Sequence, residues 1–373
     1  MSCDLTTLAV AGVRGLRPYQ PGKPIEDLER ELGIRDPIKL ASNENPLGPS
    51  PLAVQAMQGA LGAVSRYPDG NGRALKRALA QRLGVGEECV TLGNGSNDIL
   101  ELVARAFLGP GSEAVISEHA FAVYPIVIQA VGAKARVARP NAPAHAMPYG
   151  HDLQAMSALV NEHTRVVFVA NPNNPTGTWL EGQALKAFLD ALPDTTLCVI
   201  DEAYLEYVLE PAYPDAVAWL GDHPRLIVTR TFSKIYGLAG VRAGYGISHP
   251  QVADLLNRVR QPFNCNSLAQ RAALAALDDE GHVSRSRELN AAGLAQLSRA
   301  CEERGLGHIP SVANFLCIEL ARPAPPVYEA LLREAVIVRP MDNYALPNHL
   351  RVTVGTPAQN TRLIQALDRV LGT

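Results

Sequence analysis

Five short apolar runs punctuate the middle of the chain, and their spacing constrains the fold more than any other feature. They are CVTLG (89–93), EAVIS (113–117), RVVFVA (165–170), TLCVI (196–200) and RLIVT (225–229). Each is too short for a core helix and reads as a buried strand. Between them lie stretches such as SNDILELVARAFL (96–108) and EGQALKAFLDAL (181–192), with apolar residues at helical spacing. Alternation of this kind predicts an α/β fold: a mostly parallel central sheet with helices on both faces. After about Ala272 the pattern changes. A helical region (Val283 to Arg304) precedes the short strands FLCIEL, VIVRP and LRVTVG, and NTRLIQALDRVL closes the chain as a helix. This segment reads as a smaller α+β domain. The expected division is an N-terminal arm (1–50), a large domain (51–271) and a small C-terminal domain (272–373). A chain of 373 residues accommodates both domains.

Composition narrows the function classes. The net charge is −3 and no basic block stands out, which argues against nucleic-acid and membrane-surface partners. The six cysteines form no CxxC pair, and the nine histidines form no HExxH. Neither a metal site nor a disulfide framework is expected, and a reducing cytoplasm fits. The first residues carry no charged-then-apolar leader pattern, and no apolar run reaches spanning length.

In open parallel sheets chemistry gathers beyond the carboxyl ends of the strands. CVTLG is followed by Asn94, Gly95 and Ser96 at the start of a helix. Ser96 reads as a cap, and the free N–H groups there attract a phosphate; a plain capped turn is the alternative. RVVFVA is followed by NPNNPTG (171–177), a loop stiffened by two Asn-Pro steps. It is either a tight turn or a mount that fixes the amide of Asn174 towards a ligand oxygen. TLCVI is followed by Asp201, with Tyr204 three positions on. No GxxxxGK[ST] loop is present, so a magnesium role is excluded. That leaves strand-end solvation or a carboxylate that keeps a heterocyclic nitrogen protonated. RLIVT leads to Ser233, Lys234, two glycines and Arg242. A buried lysine amine has a depressed pKa and acts as a nucleophile, whereas most lysines are solvated surface charges. Together the loops describe one ligand. It has a phosphate (Gly95, Ser96, Ser233, Arg242), an aldehyde (Lys234), a phenolic oxygen (Asn174, Tyr204) and a basic ring nitrogen (Asp201). Pyridoxal 5'-phosphate carries all four groups.

The set NPNNPTG, DEAY and SKxxGLAGxRxGY resembles the fold-type I pyridoxal-phosphate aminotransferases over essentially the whole chain. GLRPYQPGKP, LASNENPLGPSP, RYPDGNG, GNGSND and LRVTVGT resemble the histidinol-phosphate aminotransferase family in particular. The resemblance implies that Lys234 binds the cofactor covalently and then moves the substrate proton. It also implies that Asp201 holds the ring nitrogen and that Tyr204 and Asn174 contact the ring oxygen. It assigns Tyr67 to the cofactor phosphate of a neighbouring subunit, hence a homodimer with shared sites. It assigns Arg351 to the carboxylate of glutamate or 2-oxoglutarate, Arg339 with Tyr19 to the phosphate of the amino donor, and Asn43 to the substrate side. Many members of the family carry PTYxxY where this chain has HAFAVY, which places Phe121 over the cofactor ring. The stacking face is kept and the hydroxyl is lost.

The expected reaction is transamination of L-histidinol phosphate with 2-oxoglutarate in histidine biosynthesis. An aromatic-amino-acid aminotransferase and a pyridoxal-phosphate-dependent amino-acid-phosphate decarboxylase would use the same lysine and aspartate. A binding protein on the same scaffold would leave a complete catalytic set unused.

Overall fold

The structure is a computed structural model and describes residues 4–372. Its first strand, β1 (Ile38–Lys39), lies outside the main sheet. The main sheet comprises β2 (Val90–Gly93), β3 (Glu113–Ser117), β4 (Lys134–Ala138), β5 (Thr164–Ala170), β6 (Leu197–Asp201), β7 (Leu226–Thr231) and β8 (Gly244–Ser248), in the order β2-β8-β7-β6-β5-β3-β4. All neighbouring strands run parallel except β8, which is antiparallel to both β2 and β7. The five apolar runs became β2, β3, β5, β6 and β7. Two strands had no clear signal. KARVA (β4) is a half-exposed edge strand with two basic residues, and GYGIS (β8) has the glycine content of a turn.

The buried strands place alternate residues on opposite faces. Val167, Val169, Ile200 and Val228 enter one apolar cluster, while Val166, Phe168, Val199 and Ile227 enter another. Helices cover both faces. Helix Pro51–Ala60 begins at Ser50, whose side chain accepts from the Ala53 N–H, and Pro51 fills the first turn. It packs against helix Ser267–Leu277, whose buried alanines belong to the first cluster. The boundary expected after residue 271 therefore runs through a helix that packs as one piece.

A third apolar cluster underlies a four-stranded antiparallel sheet of β9 (Gly307–Ile309), β10 (Phe315–Glu319), β12 (Arg339–Pro340) and β13 (His349–Thr353), in the order β12-β13-β10-β9. The run VIVRP splits at Val338. Its first half, β11 (Val336–Ile337), pairs in parallel with β1, so residues near the two ends of the chain meet in one ladder. Helices Glu280–Glu303 and Pro357–Leu371 cover this unit, the latter opened by a capping box of Thr356 and Gln359.

Candidate active site

The carboxyl ends of β2, β5, β6 and β7 meet at one edge of the main sheet. Because β8 is antiparallel, its amino end reaches the same edge and delivers Arg242. A cavity of about 380 Å³ opens there, closed on the far side by β12, β13 and residues 19–22 and 41–43. That volume suits a small ligand. Twelve of the fourteen residues singled out from sequence line it: Tyr19, Asn43, Ser96, Phe121, Asn174, Asp201, Tyr204, Ser233, Lys234, Arg242, Arg339 and Arg351. Gly95 lies directly behind the wall. Tyr67 does not reach the cavity. It is 82% exposed, stacks on Phe263 at 4.6 Å, and lines a separate depression with Arg66 and Arg271.

Lys234 is half-buried, and its Nζ donates to the Ser42 carbonyl at 3.3 Å. Burial pulls its pKa down to about 8; Arg351 and Arg242 add to the fall, and Glu44 and Asp201 oppose it. At the end of β6, Asp201 is buried and accepts from Tyr124 Oη at 3.0 Å and from Thr229 Oγ1 at 2.9 Å. Burial raises its pKa, while both hydroxyls and the Lys234 charge act against the rise. Among the described residues only hydroxyls donate to this carboxylate, with the Lys234 charge acting at a distance, and a protonated ring nitrogen would supply a directly bonded cation.

Asn174 Oδ1 accepts from Arg351 Nη1 at 2.5 Å. A guanidinium only donates, so this contact fixes which end of the amide is oxygen and leaves Nδ2 as a donor. Tyr204 Oη accepts from Asn43 Nδ2 at 2.8 Å, and burial raises the Tyr204 pKa. Asn43 is itself fixed in a left-handed conformation, φ 56°, with Thr353 and Asn314 on its backbone. Both Asn-Pro bonds of the 171–177 loop are cis.

The anion cradle departs from the expectation in one detail. The cap of helix Ser96–Phe107 is Gly95, not Ser96, which is the first helical residue. The φ at Gly95 is +81°, which side chains rarely adopt, and a Cβ there would stand 2.4 Å from Arg242 Nη2 and push the guanidinium out of its place. Arg242 Nη1 donates to Ser233 Oγ at 3.3 Å. A guanidinium, two hydroxyls and the free N–H groups of a helix start thus converge around a glycine gap, the donor set a phosphate needs.

Opposite, Arg339 and Arg351 are direct cross-strand partners on β12 and β13. Both are buried, and each donates to a backbone carbonyl, of Gln20 and Ala41 respectively, at 2.7 Å. The Arg351 Nε is buried without a partner. Two like charges set side by side cost stability unless anions lie between them. The donor sets at the two ends of the cavity, with an amine and a carboxylate between them, fit pyridoxal phosphate and an anionic substrate together.

Polar lining or supporting residues not picked out from sequence include Ser42, Asn97, Thr231 and Tyr344 in the wall and Tyr124 and Thr229 behind Asp201. Thr229 had a faint signal, a hydroxyl inside an apolar run. Among the described residues no group of histidines, cysteines and carboxylates is placed to hold a metal ion, and no helix is long and apolar enough to cross a membrane.

The family model for class I and II aminotransferases matches residues 35–367. A histidinol-phosphate aminotransferase of Nitrosococcus oceani is 58% identical over 367 residues, spanning 98% of this chain and 97% of that protein. Another, from Pseudomonas fluorescens, is 58% identical over 374 residues, spanning 100% and 99%. The histidinol-phosphate aminotransferase of Sinorhizobium meliloti, solved in complex with pyridoxal-5'-phosphate, matches in structure with a TM-score of 0.87 at 28% identity, covering 97% of each chain. The chain belongs to the class I and II aminotransferases and, within them, to the histidinol-phosphate aminotransferase family.

Proposed function

We propose that this chain binds pyridoxal 5'-phosphate at Lys234 and transfers the amino group of L-histidinol phosphate to 2-oxoglutarate, giving imidazole acetol phosphate and L-glutamate. The observation that carries the reading is the in-register pair Arg339 and Arg351, facing a half-buried lysine and a buried carboxylate across one cavity. One pocket must accept a phosphate-bearing donor and a dicarboxylate acceptor in turn, and two arginines serve two anions. Bound there, the cofactor supplies an aldehyde that carries the amino group and an electron-withdrawing ring that acidifies the substrate Cα–H.

The protein's share of the work follows from the geometry. Lys234 Nζ takes the proton from Cα and returns it during the transfer; with its pKa lowered to about 8, about a tenth of the amine is free at pH 7, far more than for an ordinary lysine, and the free-base share grows as pH rises through 8. Asp201 keeps the ring nitrogen protonated. Tyr204 and Asn174 Nδ2 hold the ring oxygen, with Tyr204 held by Asn43. Phe121 stacks on the ring face. Ser96, Ser233, Arg242 and the backbone at Gly95 hold the cofactor phosphate. Arg351 takes the acceptor carboxylate, while Arg339 and Tyr19 take the donor phosphate. Tyr67, exposed and stacked on Phe263, serves the phosphate of the neighbouring subunit in a cytoplasmic homodimer. The apolar clusters support a large domain from residue 51, a small C-terminal domain, and an N-terminal arm that joins the small domain through Ile38 and Leu40, with the boundary near helix Ser267–Leu277.

A donor screen with the cofactor-loaded protein and 2-oxoglutarate, following glutamate, tests the reading. Histidinol phosphate should be the best donor. Phenylalanine or tyrosine turning over far faster would make it an aromatic aminotransferase. Carbon dioxide release without glutamate would make it a decarboxylase.

A further inference from the structure

Asp201 reaches the cavity wall with both of its oxygens held from behind, an arrangement that the reaction alone does not explain. Its register partner on β7 is Thr229, which is 0% exposed and donates to Oδ1. Its other oxygen, Oδ2, takes the hydroxyl of Tyr124 from helix Val123–Ala130, across the sheet edge. Tyr124 is also 0% exposed. Its ring stacks on Phe168 of β5, centroids 5.0 Å apart and planes 17° from parallel. It also meets Phe121 edge-on at 5.8 Å and 89°. One tyrosine therefore touches both the carboxylate and the aromatic side chain that lines the cavity.

We propose that Tyr124 and Thr229 are positioning residues that clamp the two oxygens of Asp201, fixing the carboxylate for the cofactor's ring nitrogen, with Tyr124 also setting the ring of Phe121. This rests on the reading of Asp201 given above. Two rigid donors, one per oxygen, stop the carboxylate rotating about its terminal torsion, which is otherwise broad. They also favour the charged form, because hydroxyl donors bond a carboxylate more strongly than a neutral carboxylic acid. Burial and the adjacent Asp201 charge push the Tyr124 pKa well up, so its hydroxyl keeps its proton and stays a donor across the working pH range. Burial raises the Asp201 pKa, and the two hydroxyls are the largest influences holding it down.

The test is a binding comparison on the full chain stripped of cofactor. Wild type, Tyr124→Phe and Thr229→Val are titrated with pyridoxal phosphate and with its 1-deaza analogue, in which a CH replaces the ring nitrogen. Wild type should prefer pyridoxal phosphate. Each variant should shrink that preference by about ten-fold, from loss of one hydrogen bond to a charged group, while holding the analogue as wild type does. Analogue binding at wild-type strength also reports an intact fold. If Tyr124→Phe binds neither ligand, Thr229→Val, similar in shape inside β7, decides by the same criterion. Equal loss for both ligands would reduce the hydroxyls to packing, and an unchanged preference would show that they do not act on the ring nitrogen. Either result overturns the clamp and leaves the role of Asp201 standing. If wild type shows no preference at all, the reading of Asp201 falls and the clamp falls with it.

Discussion

Replacing Lys234 with methionine should stabilise the cofactor-free protein while abolishing activity, and the size of the effect can be worked from the site. Burial, reinforced by Arg351 and Arg242, draws the lysine pKa from its ordinary 10.5 down to about 8. Below pH 8 the ammonium is charged in both folded and unfolded chains, and the folded chain bears the full penalty, about 3 kcal/mol. Between pH 8 and 10.5 the unfolded chain binds more protons than the folded one, so the lysine's contribution to stability improves as pH rises. Above 10.5 both states are neutral and the penalty is gone. Methionine keeps a similar apolar stem and carries no charge. Thermal melts of stripped wild type and Lys234→Met at pH 7 should differ by about 4 °C in favour of the variant, for a chain of this length. The gap should narrow steadily from pH 8 towards 10. A wild type as stable as the variant at pH 7, or a gap that does not change with pH, would refute the claim that this amine is held at a cost.

Three further outcomes follow from the same geometry. Gly95→Ala forces a side chain onto a φ of +81° and to within 2.4 Å of Arg242 Nη2; cofactor affinity by equilibrium dialysis should fall about 10- to 100-fold, and an unchanged affinity would place the phosphate elsewhere. Arg339→Ala should raise KM for histidinol phosphate roughly ten-fold or more and leave 2-oxoglutarate little changed, with Arg351→Ala the reverse; equal losses in either variant would mean the anions are misassigned. Gly12→Ala places a methyl 2.1 Å from the Gln129 carbonyl oxygen, where the arm that carries Tyr19 and Gln20 is seated. Steady-state kinetics should show KM for the phosphate donor rising several-fold, about 1 kcal/mol, with kcat nearly kept; an unchanged KM would mean the arm's seating does not matter to the pocket.

The residues legible in the sequence were those whose chemistry is local. Asp201 follows its apolar run directly, and Asn174 and Lys234 stand four and five positions beyond theirs, so strand periodicity and the carboxyl-end rule were enough to group them. The clamp on Asp201 was not legible, because it depends on register: Thr229 lies opposite Asp201 only once β6 and β7 are aligned, and Tyr124 arrives from a helix 77 positions away. The Arg339–Arg351 pairing has the same origin, since antiparallel register leaves no trace in spacing. The strands β4 and β8 were missed because an edge strand need not be apolar, and because a strand packed against a helix start is built from glycine. A Cβ on Gly244 would lie 2.3 Å from the Ser96 nitrogen, so the residue that makes GYGIS look like a turn is the one that lets it pass. The cap of helix Ser96–Phe107 was misread by one position for the same reason: close approach to Arg242 outweighs the hydroxyl preference at a cap.

The ladder between β1 and β11 has a bearing on how the molecule is made. The residues proposed to hold the subunit's own cofactor lie between positions 95 and 242, whereas Ile38 and Lys39 wait for Val336 and Ile337 before they have a strand to join. As the chain leaves the ribosome from its amino end, the vitamin-binding floor is assembled first. The early segment containing Ile38 and Leu40 shares its apolar cluster with residues from Leu297 onward, so its partners begin to appear only after about four-fifths of the protein has been translated and its ladder partner only at about nine-tenths. Nascent chains halted shortly before residue 336 should therefore have a completed floor, an undocked leading segment exposed to chaperones, and no wall with which to grip a substrate.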